Sequence, residues 1–259
     1  MFTHINYQIT DGICTVTLNR PEVYNALNPA LIREITEAFT QAGEDESVRV
    51  VVLTGTGDKA FCSGADLKNG MSSGKSLGDS LRGGYNPMIL SIRNLAKPVI
   101  CRLNGIAAGA GCSLALACDV IIASETARMS QIFVSIGLIM DAGSSYFLPR
   151  LIGSQKAFEL ASTGRIVEAK ECFELGLIGK VVPQSELDLV VSYTANIYAK
   201  SATKAIGLIK KVLNQSSQST LEQMLELEAF NQDLAGNTHD FIEGVSAFLG
   251  KQLPNFKGN

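Results

Sequence analysis

Tryptophan is absent from this 259-residue chain, and histidine occurs only twice, at His4 and His239. Catalysis on a histidine base and His-rich metal sites therefore have almost no raw material, and no metal is expected. Charge is scarce as well. Asp, Glu, Lys and Arg make up 18% of the residues, against roughly 25% in an average soluble protein, and the net charge is only -3. A mildly acidic chain lacks the basic stripe of a nucleic-acid protein, so no such partner is expected. So little polar surface implies that some outer faces are covered by further subunits. Long apolar runs are also missing. The longest, 106–117, is cut by Gly109 and Gly111 and followed closely by Asp119. That is well short of the ~18 residues a membrane span needs. The opening "MFTHINYQITDG" lacks the charged-then-apolar profile of a secretory signal. The six cysteines, at 14, 62, 101, 112, 118 and 172, form no CxxC pair. They suit reduced core positions in a cytoplasmic protein.

What remains is an alternation of strand-like and helix-like stretches. "ICTVTLN" (13–19) alternates apolar and polar residues after the turn signal Asp11-Gly12, which predicts a hairpin. "NPALIREITEAFTQA" offers Asn28 as an N-cap and Pro29 at the first helical position, with Leu31, Ile32, Ile35, Ala38 and Phe39 on one face. "VRVVVLTG" (48–55), "KPVICRLNG" (97–105) and "VIIAS" (120–124) read as buried strands. Strands separated by helices at this spacing define an α/β chain. After about residue 154 the pattern is helical, in six amphipathic stretches broken once by "KVV" (180–182). The Gly/Ser-rich segment 69–84 suits either a mobile loop over a site or a long surface linker.

Two glycine-containing turns, "AFCSGADL" (60–67) and "NGIAAGAGCSL" (104–114), each join an extended segment to a helix. The first N–H groups of a helix have no intrahelical partner, and small residues let a ligand reach them. Two such turns aimed at one oxygen make an oxyanion hole, although glycine at a strand-helix junction is ordinary on its own. The second is not a dinucleotide fingerprint, because "GAGCSL" lacks the final glycine. Among the carboxylates, Asp141 sits between Met140 and Ala142 in "GLIMDAG". Desolvation there would raise its pKa and make it a base. The same residue could equally cap the following helix. Glu22, Asp119 and Glu125 read as structural or surface groups.

Taken together, "LNRPEVYNALN" (18–28), "AFCSGADL", "KPVICRLNGIAAGAGCSLALACDVIIAS", "IGLIMDAGSSYFLPRLIG" (136–153) and "EGVSAFLGKQLPNFKG" (243–258) resemble the crotonase superfamily, the enoyl-CoA hydratases and isomerases. The resemblance spans nearly the whole chain. It implies an α/β fold, the crotonase spiral of ββα units, over 1–195 with the acyl-CoA site, and a C-terminal helical trimerisation region over 196–259. It further implies a homotrimer or a dimer of trimers, and no cofactor beyond the coenzyme A of the substrate. By motif, the oxyanion donors would be the N–H groups of Ala65 and Ala110, where alanine replaces the family's usual glycine at the second place. Val23, Ala26, Ser63, Asp66 and Leu67 would line the CoA path, and Lys68 and Lys257 would meet its phosphates, the latter from a neighbouring subunit. Without the motif, each lysine is simply a solvated surface charge.

The departures from the family pattern concern the chemistry. A hydratase activates water with two glutamates, and the matching positions here hold Ser113 and Phe133. Neither side chain is a base near neutral pH, and Phe133 becomes a substrate contact instead. Related isomerases carry a catalytic aspartate where this chain has Asp141, eight residues beyond Phe133. The expectation is an isomerase of unsaturated or ring-epoxide acyl-CoA. The alternatives are a hydratase, a nucleophilic Asp141, or an acyl-CoA binder without turnover.

Overall fold

Asp11 and Gly12 both take positive φ, 50° and 79°, which is the two-residue turn whose twist suits a hairpin. It joins β1 (Ile5–Thr10) to β2 (Ile13–Leu18) in antiparallel register. The computed structural model that contains this hairpin describes residues 2–68 and 76–259. There follow α1 (Pro29–Glu44), β3 (Val50–Gly55), β4 (Ala60–Cys62), α2 (Leu77–Ser80), α3 (Asn86–Asn94), β5 (Val99–Leu103), β6 (Ile106–Ala108) and α4 (Ala110–Leu116). The chain continues through β7 (Val120–Ser124), β8 (Arg128–Ser130), α5 (Ser144–Thr163), β9 (Ile166–Glu168), α6 (Ala169–Leu175), β10 (Lys180–Val182), α7 (Leu187–Ala199), α8 (Thr203–Ser216), α9 (Leu221–Gly236) and α10 (His239–Leu249). Asn28 caps α1 as its sequence implies, accepting from Leu31 N at 2.7 Å.

From β3 to β8 successive strands alternate between two sheets. The larger has the order β1-β2-β3-β5-β7-β10 and the smaller β4-β6-β8-β9. Each turn of the chain adds one parallel strand to each sheet and then a helix or helical turn, which is the expected spiral of ββα units. β3 is buried along its whole length because both of its faces are covered. Val51 and Leu53 point into the main core with Leu31, Ile35 and Phe39 of α1. Val50 and Val52 point the other way, where they share a second core with Leu187, Val191 and Ala195 of α7. Those three residues recur every four positions, one stripe along a helix.

Three details differ from the sequence expectation. The expected domain boundary at 195 falls inside α7. The buried stripe of α7 packs on the large sheet, so this helix belongs to the spiral and the C-terminal helical region begins with α8. The region after 154 contains β9 as well as "KVV": β9 pairs antiparallel with β8, so Val167 and Glu168 extend the small sheet instead of opening a helix. Of the segment 69–84, residues 69–75 lie outside the described residues, while 77–85 are helical. The remaining carboxylates are spoken for or remote. Asp119 accepts from Val99 N, Arg93 and the buried Lys210, a structural role, and Glu22 and Glu125 are exposed. No helix among the described residues is long and apolar enough to cross a membrane.

Candidate active site

The first glycine turn follows β4, and its geometry is fixed by a buried clamp. Arg20 donates to the Ala26 carbonyl at 2.6 Å and to Asp66 Oδ2 at 2.9 Å. Leu27 N donates to Gly64 O, and Asp66 N to Leu27 O, so the turn is stitched to the 23–27 segment on both sides of Ala65. Tyr24 and Asn25 adopt left-handed φ of 54° and 56°, and the buried Asn25 amide bonds Arg20 N and the Ala60 carbonyl. Asparagine suits this position because its short amide can satisfy the backbone locally. Between these contacts the Ala65 N–H makes no hydrogen bond among the described residues.

Ala110 is the first residue of α4, after Gly109 at φ 52° and ψ -126°. Its N–H also makes no hydrogen bond among the described residues, as first-turn amides usually do not. Two glycines let the turns touch. A Cβ on Gly64 would stand 2.7 Å from the Ala108 carbonyl and 3.5 Å from Ala110 N. A Cβ on Gly111 would overlap the Cys62 carbonyl at 2.1 Å. The glycines of "SGAD" and "GAGC" are thus needed for backbone contact between the turns, and that contact brings the two free donors together.

The opposite wall comes from the third repeat. The Phe133 ring lies 3.8 Å from where a Cβ on Gly109 would be, so the phenyl borders the Ala110 donor. Asp141 opens a tight turn in which Ser144 N donates to Asp141 O at 3.0 Å and Ala142 and Gly143 take φ of 48° and 86°. Positive φ at both central positions is the I′ geometry. At Ala142, a residue with a Cβ, it costs roughly 1–3 kcal/mol. The cap reading of Asp141 is not what the structure shows, since Gly143 occupies the N-cap of α5 and no side chain bonds there. Instead Asp141 Oδ1 is buried with no hydrogen-bond partner among the described residues. Desolvation pushes the Asp141 carboxyl up to about 6, the direction expected of an acid that has lost water and gained no donor.

The other expected contacts fall into two groups. Val23 and Ser63 are half-buried and joined, Ser63 Oγ to Val23 O at 3.3 Å. Leu67 is 51% exposed and Lys68 is exposed beside it, free to meet a ligand. Ala26 is buried, and Asp66 turns inward to Arg20. The Asp66 side chain therefore braces the 63–67 turn through Arg20, where the expectation had it lining the CoA path. Lys257 lies elsewhere in the chain. Its N–H is held by Asp240 Oδ1 at 2.6 Å, and a Cβ on the neighbouring Gly258 would touch Arg49. Arg49 precedes β3, so Lys257 lies by the start of that strand, whereas the first turn follows its far end.

One site residue escaped the sequence reading. Tyr85 ends the helical turn 81–85 and is half-buried against the main core. Its phenol is held well above the ordinary tyrosine pKa, chiefly by burial and then by Asp141, Cys62 and Asp66. It stays protonated near neutral pH. The only sequence signal was an aromatic at the end of a Gly/Ser-rich stretch. His4 pairs with Glu34 and His239 opens α10, so both histidines lie away from this site.

A two-sheet spiral that brings two glycine-containing turns into backbone contact is the setting in which the comparisons with known proteins fall. Residues 8–259 match the enoyl-CoA hydratase/isomerase family model, and the chain belongs to that family of acyl-CoA enzymes. Among its relatives, 1,2-epoxyphenylacetyl-CoA isomerase of Escherichia coli K12 is 39% identical over 262 residues, covering 100% of both chains. A probable enoyl-CoA hydratase of Rhodobacter capsulatus is 41% identical over 254 residues and 98% of both. The crystal structure of enoyl-CoA hydratase from Bacillus anthracis superposes with a TM-score of 0.93 at 35% identity, over 99% of this chain and 100% of that one.

Proposed function

We propose that this chain is an acyl-CoA isomerase that moves a double bond through a thioester enolate, with Asp141 as the proton shuttle. The observation that carries the reading is the buried, unpartnered Asp141 Oδ1, on a residue whose carbonyl accepts from Ser113, three positions along α4 from Ala110. The N–H groups of Ala65 and Ala110 hold the thioester oxygen and bind it more strongly as negative charge develops there. Asp141 takes a proton from one carbon; the C–H electron pair delocalises onto the thioester oxygen; the protonated Asp141, open to exchange with solvent, returns a proton to another carbon and the π bond moves. No electrons leave the substrate. A 3-enoyl-CoA suits this chemistry, and the name of the Escherichia coli relative adds a ring-epoxide phenylacetyl-CoA as a candidate substrate. Hydration is disfavoured even though several relatives are named hydratases, because Ser113 and Phe133 occupy the two positions where a hydratase carries glutamate.

The test is α-proton exchange and product double-bond position, followed by NMR in deuterated water over a panel of acyl-CoA thioesters. Exchange and migration without added water support the isomerase; a 3-hydroxyacyl product as the main outcome refutes it. The pH dependence has a defined sign. A base must be ionised, so kcat/KM should rise with pH through about 6, the value to which burial lifts Asp141, and level off above it. A flat profile between pH 5 and about 8 would contradict a carboxylate base with that environment.

The reading extends to a cytoplasmic homotrimer or dimer of trimers. Ile242, Phe248, Leu249 and Leu253, on α10 and beyond it, are 64%, 83%, 76% and 94% exposed, which leaves an apolar face for a neighbour. The position of Lys257 by the start of β3, away from the first turn, fits a phosphate contact made to an adjacent subunit. Light scattering should give a mass of three or six chains, and a species of 27.6 kDa alone would exclude the assembly.

A further inference from the structure

Four polar groups, from the end of β8, α4 and the start of α5, point in one direction. Gln131 Nε2 donates to Ser144 Oγ at 3.0 Å. Ser144 and Ser113 share a hydroxyl contact of 2.7 Å, and Ser113 Oγ donates to the Asp141 carbonyl at 3.0 Å. Ser113 Oγ also lies 3.3 Å from the Gly109 carbonyl, but the Asp141 carbonyl is the nearer acceptor; with the Ser113 proton on a backbone carbonyl, Ser144 is the donor of the pair. Each hydroxyl then donates once between Gln131 and Asp141, and Gln131 Oε1 is left without a partner among the described residues. Gln131, Ser113 and Ser144 are 3%, 0% and 0% exposed, so water cannot substitute for a missing link. The relay ends on the carbonyl that also closes the Asp141–Ser144 turn, whose Ala142 sits in a left-handed conformation.

We infer that Gln131, Ser144 and Ser113 form a buried positioning relay that holds the Asp141 turn and thereby aims the Asp141 carboxylate into the site. Ser113 occupies the position where a hydratase carries glutamate. It touches no reacting atom here; it acts through the Asp141 backbone. The geometry gives it a reason for being serine: an acceptor for Ser144 and a donor to Asp141 are both required, in a space with no room for solvent. The inference rests on Asp141 being the base, and it adds the means by which a strained turn keeps that base in register.

The test compares Ser113→Ala and Ser144→Ala with Asp141→Asn, using 3-hexenoyl-CoA as the probe and full-length protein. Ser113→Ala should lower kcat by about 10- to 100-fold, the cost of misplacing a catalytic group by around an ångström, with KM little changed. Its acid limb should also move to lower pH, since a loosened Asp141 regains water; Tyr85 is the titratable group facing it, and it stays neutral across this range. Ser144→Ala, which leaves the Ser113 donor in place, should shift both readouts in the same direction by less, and it decides the matter if Ser113→Ala does not fold. Ser113→Cys, with a weaker donor of similar shape, should fall between the parent and Ser113→Ala. A lower melting temperature with parent kcat and an unmoved acid limb would make the relay purely structural and overturn the inference. If Asp141→Asn loses turnover while the serine variants do not, the relay fails and the base stands. If Asp141→Asn keeps turnover, both fail.

Discussion

Asp141→Asn is expected to lose about 10²–10⁴ of isomerase turnover while keeping acyl-CoA affinity, the usual cost of deleting a general base. The substitution is nearly isosteric and breaks no side-chain hydrogen bond of Asp141 Oδ1, because that oxygen makes none among the described residues. The fold should therefore persist, and its stability should change with a particular sign. The Asp141 carboxyl is raised from 3.8 to about 6 by burial, so the folded chain binds this proton more tightly than the unfolded one. Stability consequently falls as pH rises through that window, and the whole penalty is present above it. Asparagine carries no such penalty. The variant should melt at or above the parent near neutral pH, and the advantage should vanish below pH ~4. Parent-like turnover by this variant would remove the base from the mechanism; a melting temperature well below the parent at neutral pH would show that the carboxylate has a structural partner.

Ala110→Pro is expected to lose about 10²–10³ in kcat, the effect of removing one oxyanion donor. Proline is well accommodated at the first position of a helix, since the N–H it lacks has no intrahelical partner there. Ala110 holds that position in α4, and its N–H makes no hydrogen bond among the described residues. The preceding residue must tolerate proline, and Gly109, at φ 52° and ψ -126°, has no Cβ to clash with the ring. The pyrrolidine ring would stand where the thioester oxygen is held, so affinity for acyl-CoA should weaken as well. Circular dichroism serves as the control for folding. Parent-like kcat in a folded variant would mean that the thioester oxygen does not sit at the α4 N-terminus.

The sequence carried the features that depend on local chemistry. The Asp11-Gly12 hairpin, the Asn28 cap and the buried strands at 48–55, 97–105 and 120–124 each follow from neighbours in the chain, and each has its counterpart in the fold. The two oxyanion turns were legible as glycine-containing junctions, although only the overlap of Gly111 with Cys62 O and of Gly64 with Ala108 O explains why those glycines are required. What could not be read depends on partners distant in sequence. Asp66 looked like a polar residue lining a ligand path until Arg20, 46 positions away, was found beside it. Ser144 is indistinguishable from any first-turn serine until Gln131 and Ser113 bracket it. Tyr85 feels the charges of Asp141 and of Cys62 and Asp66 in the first turn, two segments well separated from it in the chain. That 195 falls within α7 was hidden for the same reason, because Leu187, Val191 and Ala195 are an unremarkable apolar stripe until Val50, Val52 and Ile100 face them.

The alternation of strands between two sheets distributes the site across the chain. Ala65 follows the first two-sheet repeat, Ala110 the second, and Phe133 and Asp141 the third. No contiguous third of the polypeptide holds both a donor pair and a base. Duplication or recombination of a single repeat would thus copy at most one element of the machinery. The chemistry can change by substitution within one repeat while the other two continue to grip the thioester unchanged. Ser113, Phe133 and Asp141 belong to the second and third repeats, whereas the clamp built on Arg20, Asp66 and Ala65 belongs to the first. On the proposed reading, the first repeat serves recognition of the thioester alone, the third serves the choice of reaction, and the second, with Ala110 and Ser113 in one helix, serves both.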